Sequence, residues 1–300
     1  MWAESNFVLT DAQAGFRKGR STVDHIFTLH AAIEKQFANN SKLYVAFLDF
    51  KKAYDTVNRN ILWSVLYHSG IQGKMLRNLK AMYRSVQACV MSKSEVSGYF
   101  ECFQGLKKGC VASPVLFSLL INELANEIIG KAKHGIPLCP TEIELFILLF
   151  ADDLTLLAST VIGLQNQLNA LSVAAKRLGL TVNLGKSKVM VFRKGGYLAA
   201  KERWFWGDQK LEVVNTYRCL GLIFSTGHSF TAAMKDIAIR AKKGTIEILR
   251  TLKKIGCNTP VIFFKLFDAQ IAPTLLYAAE IWIIKCMSRY SVYIFLHVKE

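Results

Sequence analysis

The sequence predicts an α+β fold built on a split β-α-β unit, and three observations carry that expectation. Leu43 to Leu48 reads as a strand ending at Asp49. The short apolar runs Leu145 to Leu149 and Leu154 to Ala158 flank Phe150-Ala151-Asp152-Asp153 and read as two strands joined by a tight turn. Helical patterns and a strand at Val189 to Phe192 complete the order strand, helix, hairpin, helix, strand, which is that of the split unit. This order lays the strand ending at Asp49 beside the Asp152 hairpin, so two acids far apart in sequence meet at one sheet edge. Periodicity alone leaves each apolar run open to a buried helix, and Asp is also a common turn residue. Adjacent carboxylates repel and are costly to bury unpaired, so their setting between core-forming runs points to a bound cation.

The elements follow in order. Ser21 opens an S-x-x-D capping box with Asp24, and Val23, Ile26, Phe27 and Ile33 continue at helical spacing, giving a helix over roughly Thr22 to Phe37. Before it lies the basic loop Gln13-Ala14-Gly15-Phe16-Arg17-Lys18-Gly19-Arg20, either a solvated loop or a phosphate contact at a helix N-terminus. After the first central strand, helices are expected at Asn60 to His68 and Lys74 to Tyr83, and a strand pair at Ala88 to Met91 and Gly98 to Phe103. Ser113 as N-cap and Pro114 at the first position start a helix carrying Val115, Leu116, Leu119, Leu120 and Leu124. Val161, Leu164, Leu168, Leu171, Ala175 and Leu178 form a further helical face with Gly179 as its C-terminal cap. Trp204 to Trp206 and Leu211 to Val214 read as a hairpin around Gly207-Asp208, and Tyr217 to Phe224 as one strand. From Phe230 the pattern is helical and basic, with a boundary at Thr226 to Ser229.

The 300 residues suffice for one large domain or two smaller ones, and 52% hydrophobic residues supply a core. A net charge of +16 favours polyanionic partners, nucleic acid first and an anionic membrane second, although it also serves solubility. Seven cysteines with no C-x-x-C pair read as buried thiols in a reducing compartment, not as a disulfide frame or zinc site. Met1 to Asp11 has no signal-peptide pattern, so a nuclear or cytoplasmic protein is expected. Leu266 to Ile284 is interrupted by Asp268, Gln270 and Glu280 and reads as a core helix plus turn, so no membrane span is expected.

Two carboxylates at one edge suit Mg²⁺, with Mn²⁺ as a substitute. Mg²⁺ takes hard oxygen ligands, usually one or two carboxylates plus substrate phosphates. Asp49 and Asp152, with the carbonyl of Phe50, would hold two ions about 3.5–4 Å apart that clamp the attacking and leaving oxygens of a phosphoryl transfer. In a basic protein this suggests a nucleotidyl transferase.

Six segments then carry a resemblance. Gln13 to Thr22, Leu48 to Val57 (L-D-F-K-K-A-Y-D-T-V), Gly105 to Asn122 around G-C-V-A-S-P-V-L-F, Phe150 to Asp153, Gly179 to Lys188 (G-L-T-V-N-L-G-K-S-K) and Tyr217 to Gly221 (Y-R-C-L-G) stand in one order. Together they resemble the second motif and motifs A to E of the reverse transcriptases of non-LTR (LINE-type) retrotransposons, over about Ser5 to Trp282. The resemblance implies a right-hand polymerase: residual fingers over 1–40, a ferredoxin-like palm over 41–228, and a helical thumb with a C-terminal segment over 229–300. It implies an RNA-directed DNA polymerase acting with an RNA template, a DNA primer and deoxynucleoside triphosphates (dNTPs). Asp49 and Asp152 would be metal ligands, with Asp153 supporting. Tyr54 matches an aromatic gate against the 2′-hydroxyl, where plain core packing is the alternative. Gln13, Arg17, Gly109 and Ser113 would contact substrate or template. Lys186 would protonate the leaving pyrophosphate, although a surface lysine reads the same way. Leu220 and Gly221 would touch the primer end, and Lys235, Arg240, Lys243 and Arg250 would track the duplex backbone.

Two departures stand out. Lys108 occupies a position where the family has Gln, which both donates and accepts hydrogen bonds, whereas Lys only donates. The family's earlier finger segment, with an Arg-Pro-Ile motif, lies before the point matching Met1. The expectation is therefore an N-terminally truncated copy of a decayed element, without endonuclease or cysteine-rich segment. A catalytically inactive remnant that only binds nucleic acid stands as the alternative function, and a binder of anionic membranes as a third.

Overall fold

The computed structural model describes residues 2–6, 8–92, 95–131, 134–137, 144–257 and 259–287. Helices α1 (Trp2–Ser5) and α2 (Thr22–Ala38) precede strand β1 (Leu43–Leu48), and α3 (Arg59–His68) and α4 (Gly73–Met82) follow it. Four short strands come next: β2 (Gln87–Ala88), β3 (Met91–Ser92), β4 (Glu95–Val96) and β5 (Phe100–Glu101). Then come α5 (Ser113–Lys131), β6 (Ile136–Pro137), β7 (Glu144–Leu145), β8 (Ile147–Phe150), β9 (Asp153–Ala158), α6 (Val161–Arg177) and β10 (Lys188–Phe192). Strands β11 (Phe205–Trp206), β12 (Gln209–Lys210), β13 (Glu212–Val213), β14 (Thr216–Cys219) and β15 (Leu222–Ser225) lead to α7 (Thr231–Lys254). The described chain closes with α8 (Pro260–Leu266), a π-helical turn Phe267–Ile271, α9 (Ala272–Leu275) and α10 (Ala279–Met287).

The central sheet has the order β13-β10-β1-β9-β8. Within it β10, β1, β9 and β8 stand in the order of a split β-α-β unit, with the first strand flanked by the last and by the hairpin. β1 pairs antiparallel with β9 from Tyr44↔Ala158 to Leu48↔Leu154, and β9 pairs with β8 from Ile147↔Leu156 to Phe150↔Asp153. All six β1 residues are buried, so this strand is a continuous apolar run. α5 contacts β8, α6 contacts β1 and β9, and the two helices touch each other, so they cover one face of the sheet. Leu116, Phe117, Leu120, Ile121, Leu124 and Ile128 of α5 are buried, each contributing roughly 1.5–3 kcal/mol on transfer from water.

Local chemistry sets the helix ends as the sequence implied. Asp24 accepts from the Ser21 amide at 2.6 Å and the Ser21 hydroxyl accepts from the Asp24 amide at 3.3 Å, a reciprocal box. Gly179, at φ 70°, closes α6: its amide donates to Lys176 and the next amide, Leu180, to Ala175, as a Schellman cap requires.

Several expectations change. Tyr217 to Phe224 is not one strand but the hairpin β14–β15, because Leu220 (φ 45°) and Gly221 (φ 88°) form a two-residue turn with both φ positive. Phe205–Trp206 pairs with Gln209–Lys210, while Glu212–Val213 leaves that hairpin and pairs in parallel with β10. The 88–103 region forms two short ladders, β2–β5 and β3–β4, in place of one pair. Leu266 to Ile284 is broken into short helices around a π-turn. Among the described residues no helix is long and apolar enough to cross a membrane. The thiols are not generally buried: Cys219 is, but Cys89 is exposed and Cys102, Cys110 and Cys257 are partly exposed. Cys139 lies outside the described residues.

The chain divides into two compact units that cut across chain order. One comprises Met1–His25, Leu43–Val189 and Tyr197–Val213; the other comprises Ile26–Lys42, Met190–Gly196 and Val214–Glu300. Most of α2 therefore groups with the C-terminal helices, whereas the sequence suggested three consecutive segments. In the second unit, Ala241, Ile248 and Leu252 of α7 bury against Ile271, with Phe263, Leu266, Phe267 and Leu275 packed around them.

The loop at Gln13 is tied to the sheet. Ala14 donates to the Leu149 carbonyl and Leu149 donates to Ala12. A Cβ added at Gly15 would stand 2.2 Å from the Ala151 backbone nitrogen, whereas one at Gly98 meets nothing within 4 Å. Gly15→Ala is expected to destabilise the fold by about 3 kcal/mol, the upper end of overpacking penalties, and Gly98→Ala to change it far less, as measured by urea denaturation.

Candidate active site

Asp49 is the first residue beyond β1. Because Leu48 pairs with Leu154, the β1–β9 ladder sets Asp49 level with Asp153 and next to the Ala151-Asp152 turn. Asp49 and Asp152 line one cavity of about 540 Å³ together with Phe50, Lys51, Lys52, Ala53, Thr56, Asn183 and Lys186. Two acidic and three basic residues thus line one cavity.

The segment after α6 holds Asp49 in place. The Asn183 amide donates to the Asp49 carbonyl at 2.7 Å, and its side-chain Nδ2 donates to Asp49 Oδ2 at 3.1 Å. The Asp49 amide donates to the Oγ of fully buried Ser187 at 3.2 Å. Phe50 bridges to Val182, and the Lys51 amide donates to Thr181. Lys186 Nζ lies 3.9 Å from Asp49 Oδ2 and is largely open to solvent. Sequence reasoning missed Asn183 and Ser187, although both sit within the G-L-T-V-N-L-G-K-S-K segment, because small polar residues there do not stand out from Thr181, Lys186 and Lys188.

The turn itself is strained. Ala151 has φ 56°, a region costly for a residue with a Cβ. Gln13 Oε1 accepts from the Gly15 amide at 2.8 Å and from the Ala151 amide at 3.4 Å, bracing the turn from below. Asp153 still reaches solvent, yet its pKa is raised to about 6, first by partial removal from water and then by the negative charges of Asp152 and Asp49. The cluster is therefore rich in negative charge, and its donors are hard oxygens, a set that suits Mg²⁺.

The aromatic ring of Tyr54 stacks on Phe117 with centroids 4.4 Å apart and planes at 21°. Its hydroxyl is buried without a hydrogen-bond partner among the described residues. Burial, followed by the charge of Asp152, pushes its pKa up to about 12, so the phenol stays neutral.

Other expected site residues are placed differently. Gln13 is 0% exposed, so it supports the turn and offers no surface to a ligand. Arg17 is committed to Glu4 through two 2.8 Å bonds and donates to the Thr10 and Gln13 carbonyls, because its fork is satisfied inside the loop. Ser113 does not cap α5: it is 2% exposed, donates to the Lys107 carbonyl at 2.6 Å, and meets the Tyr83 hydroxyl at 3.0 Å. Gly109 has open space around it and is required by its φ of 80°, while at Gly105 a Cβ would also stand 2.7 Å from the Asp55 carbonyl oxygen. Lys108 pairs with Asp55 at 2.8 Å on the surface.

In the second unit, Leu220 and Gly221 form the β14–β15 turn. The Tyr277 hydroxyl donates to Leu220 at 2.5 Å and Arg240 donates to Gly221 at 3.2 Å. Arg240 also pairs with Asp236, which accepts two bonds from Arg218. Arg240 therefore buttresses the turn, Arg250 pairs with Glu247 at 2.9 Å, and Lys235 and Lys243 stand exposed on α7.

Residues 4–224 match the family described as reverse transcriptase (RNA-dependent DNA polymerase). The chain is 26% identical over 265 residues to a Pol polyprotein of a type-1 R2 retrotransposable element from Popillia japonica, covering 86% of this chain and 42% of the relative. It is 23% identical over 304 residues to a probable RNA-directed DNA polymerase from transposon BS of Drosophila melanogaster, covering 95% of this chain and 31% of that protein. A third relative, a 149 kDa protein of transposon TX1 from Xenopus laevis, is 26% identical over 56% of this chain, which spans only 13% of it. The chain thus spans less than half the length of these relatives. Among solved structures, telomerase from Candida tropicalis in complex with a fragment of telomeric RNA superposes with a TM-score of 0.52 at 14% identity, covering 96% of this chain and 45% of that one. The apo form gives 0.51 at 13% identity, with 99% and 50% covered. These likenesses give the polymerase fold.

Ser187→Ala would leave the Asp49 amide without its acceptor. A loss of about 1–3 kcal/mol is expected, read as a lower midpoint in chemical denaturation; Ser187→Thr is expected to keep the bond.

Proposed function

The chain belongs to the reverse transcriptase (RNA-dependent DNA polymerase) family, and on that premise we propose that it extends a primer 3′ end with deoxynucleotides on an RNA template. The observation that carries this reading is the cavity that Asp49 and Asp152 line together with Lys51, Lys52 and Lys186. The carboxylates, with the Phe50 carbonyl, would hold divalent ions. When bound, Mg²⁺ supplies Lewis acidity to the attacking and leaving oxygens of an in-line displacement. The lysines would attract and orient a triphosphate as flexible point charges.

The chain's own residues supply the rest. Asn183 and Ser187 fix the backbone and carboxylate of Asp49, which restricts the geometry it offers. Tyr54, immobilised on Phe117, would lie under the sugar and exclude a 2′-hydroxyl. Lys186, beside Asp49 and open to solvent, would give a proton to the leaving pyrophosphate. Lys235 and Lys243 on α7 would follow a nucleic-acid backbone with salt-sensitive affinity.

A second reading is a remnant that binds nucleic acid without catalysis. The internal commitment of Arg17 to Glu4 favours it, because that fork is closed to a triphosphate.

Primer extension on an RNA template with Mg²⁺ tests the first reading. Wild-type extension is expected to fall to background in Asp152→Ala. No extension above that control, with RNA still retained in a gel shift, would establish the second reading.

Tyr54→Ala is expected to raise ribonucleotide use relative to deoxynucleotide use about tenfold or more, the change made by ~1.4 kcal/mol of discrimination. Competition of the two nucleotides in one extension reaction measures this ratio, and an unchanged ratio would remove Tyr54 from the gate.

A further inference from the structure

Within the second unit, His30 and Glu34 stand one turn apart on α2, and His228 lies in the segment between β15 and α7. One ligating atom from each lies within 4.8 Å of those from the other two. His30 Nδ1 is 3.0 Å from His228 Nε2, and His228 Nδ1 is 2.6 Å from Glu34 Oε1. We propose that His30, Glu34 and His228 form a binding site for a borderline transition-metal ion, Zn²⁺ in the first instance, separate in chemistry from the aspartate cavity.

Four observations support the assignment. First, the donor set is two imidazoles and one carboxylate, which selects Zn²⁺ over Mg²⁺. A tetrahedral zinc ion holds its ligand atoms roughly 3.4 Å apart, so donor atoms that all lie within 4.8 Å of one another need only small side-chain adjustments to surround one ion through a single nitrogen of His228.

Second, the His228 ring is enclosed on several sides. The residue is 1% exposed and has φ 54°. Its ring is walled by Phe37, Phe192, Phe224 and Phe230, at centroid distances of 6.1, 6.4, 6.3 and 5.2 Å.

Third, a cation already sits there. Lys285 Nζ bonds Glu34 and lies 2.8 Å from His228 Nδ1. That ring nitrogen therefore faces a carboxylate and an ammonium at once. A proton on Nδ1 would suit Glu34 but oppose Lys285; a bare Nδ1 would suit Lys285 but set its lone pair against Glu34. No tautomer of His228 satisfies both neighbours, whereas a divalent ion in the place of the ammonium would bind the imidazole and the carboxylate together.

Fourth, Lys285 lines an open cavity of about 540 Å³ with Phe37, Arg193, Lys194 and Thr226, a space into which its ammonium would turn when a metal takes its place. The ion would then clip α2 to the start of α7.

The test uses the full chain stripped with a chelator and titrated with Co²⁺ as a spectroscopic probe for zinc. One equivalent is expected, with d–d bands of a nitrogen and oxygen set and no thiolate charge-transfer band. Zn²⁺ should displace it and millimolar Mg²⁺ should not. His30→Ala and Glu34→Gln, each checked for native circular dichroism, should weaken binding about tenfold or more. Lys285→Met should bind at least as tightly as wild type, because a competing cation is gone. Lack of stoichiometric uptake, a thiolate band, unchanged affinity in both ligand variants, or weaker binding in Lys285→Met would each overturn the assignment.

Discussion

Antiparallel pairing of β1 with β9 is the constraint on which the site rests. Its register, Leu48 opposite Leu154, carries Asp49 to the level of the Asp152 turn. A one-residue slip of this ladder would separate the acids. Every β1 residue is buried, so the strand that carries Asp49 is held on both faces. Hydrophobic packing and charge placement are one problem here, solved by one ladder.

Negative charge gathered at that edge has to be managed. The chain does so in two ways. It supplies Lys51, Lys52 and Lys186 around the opening, and it lets Asp153 take a proton more readily than a free aspartate would. The acids are also fixed from behind: Asn183 and Ser187 hold Asp49, and Gln13 braces Ala151. Gln13 and Arg17 thus act on the site through the backbone, which is why a basic, glycine-bearing loop can look like a ligand contact and be a scaffold.

The central sheet was legible because its signals are local: bounded apolar runs, a capping box at Ser21, a closing glycine at Gly179. The acids at 49 and 152 were legible for the same reason, since each ends or joins a strand. What was hidden depends on partners distant in sequence or on backbone angles. Nothing local distinguishes a leucine at φ 45° from one in a strand, so Tyr217 to Phe224 looked continuous. Ser113 carries every mark of a cap, but the Lys107 carbonyl and Tyr83 hydroxyl claim it instead. The grouping of α2 with the C-terminal helices, and the meeting of His30 and Glu34 with His228, join residues that no window on the sequence contains together.

The β14–β15 turn carries one more consequence. Asn-Gly or Gly-Gly would make such a turn with little strain. This chain keeps a half-buried leucine at its first central position and secures it through the Tyr277 hydroxyl and Arg240. The leucine side chain is thus retained at the expense of conformational ease, the usual mark of a residue kept for what it presents. Selection for thermal robustness alone would replace it first, and would blunt the tip of that hairpin in doing so.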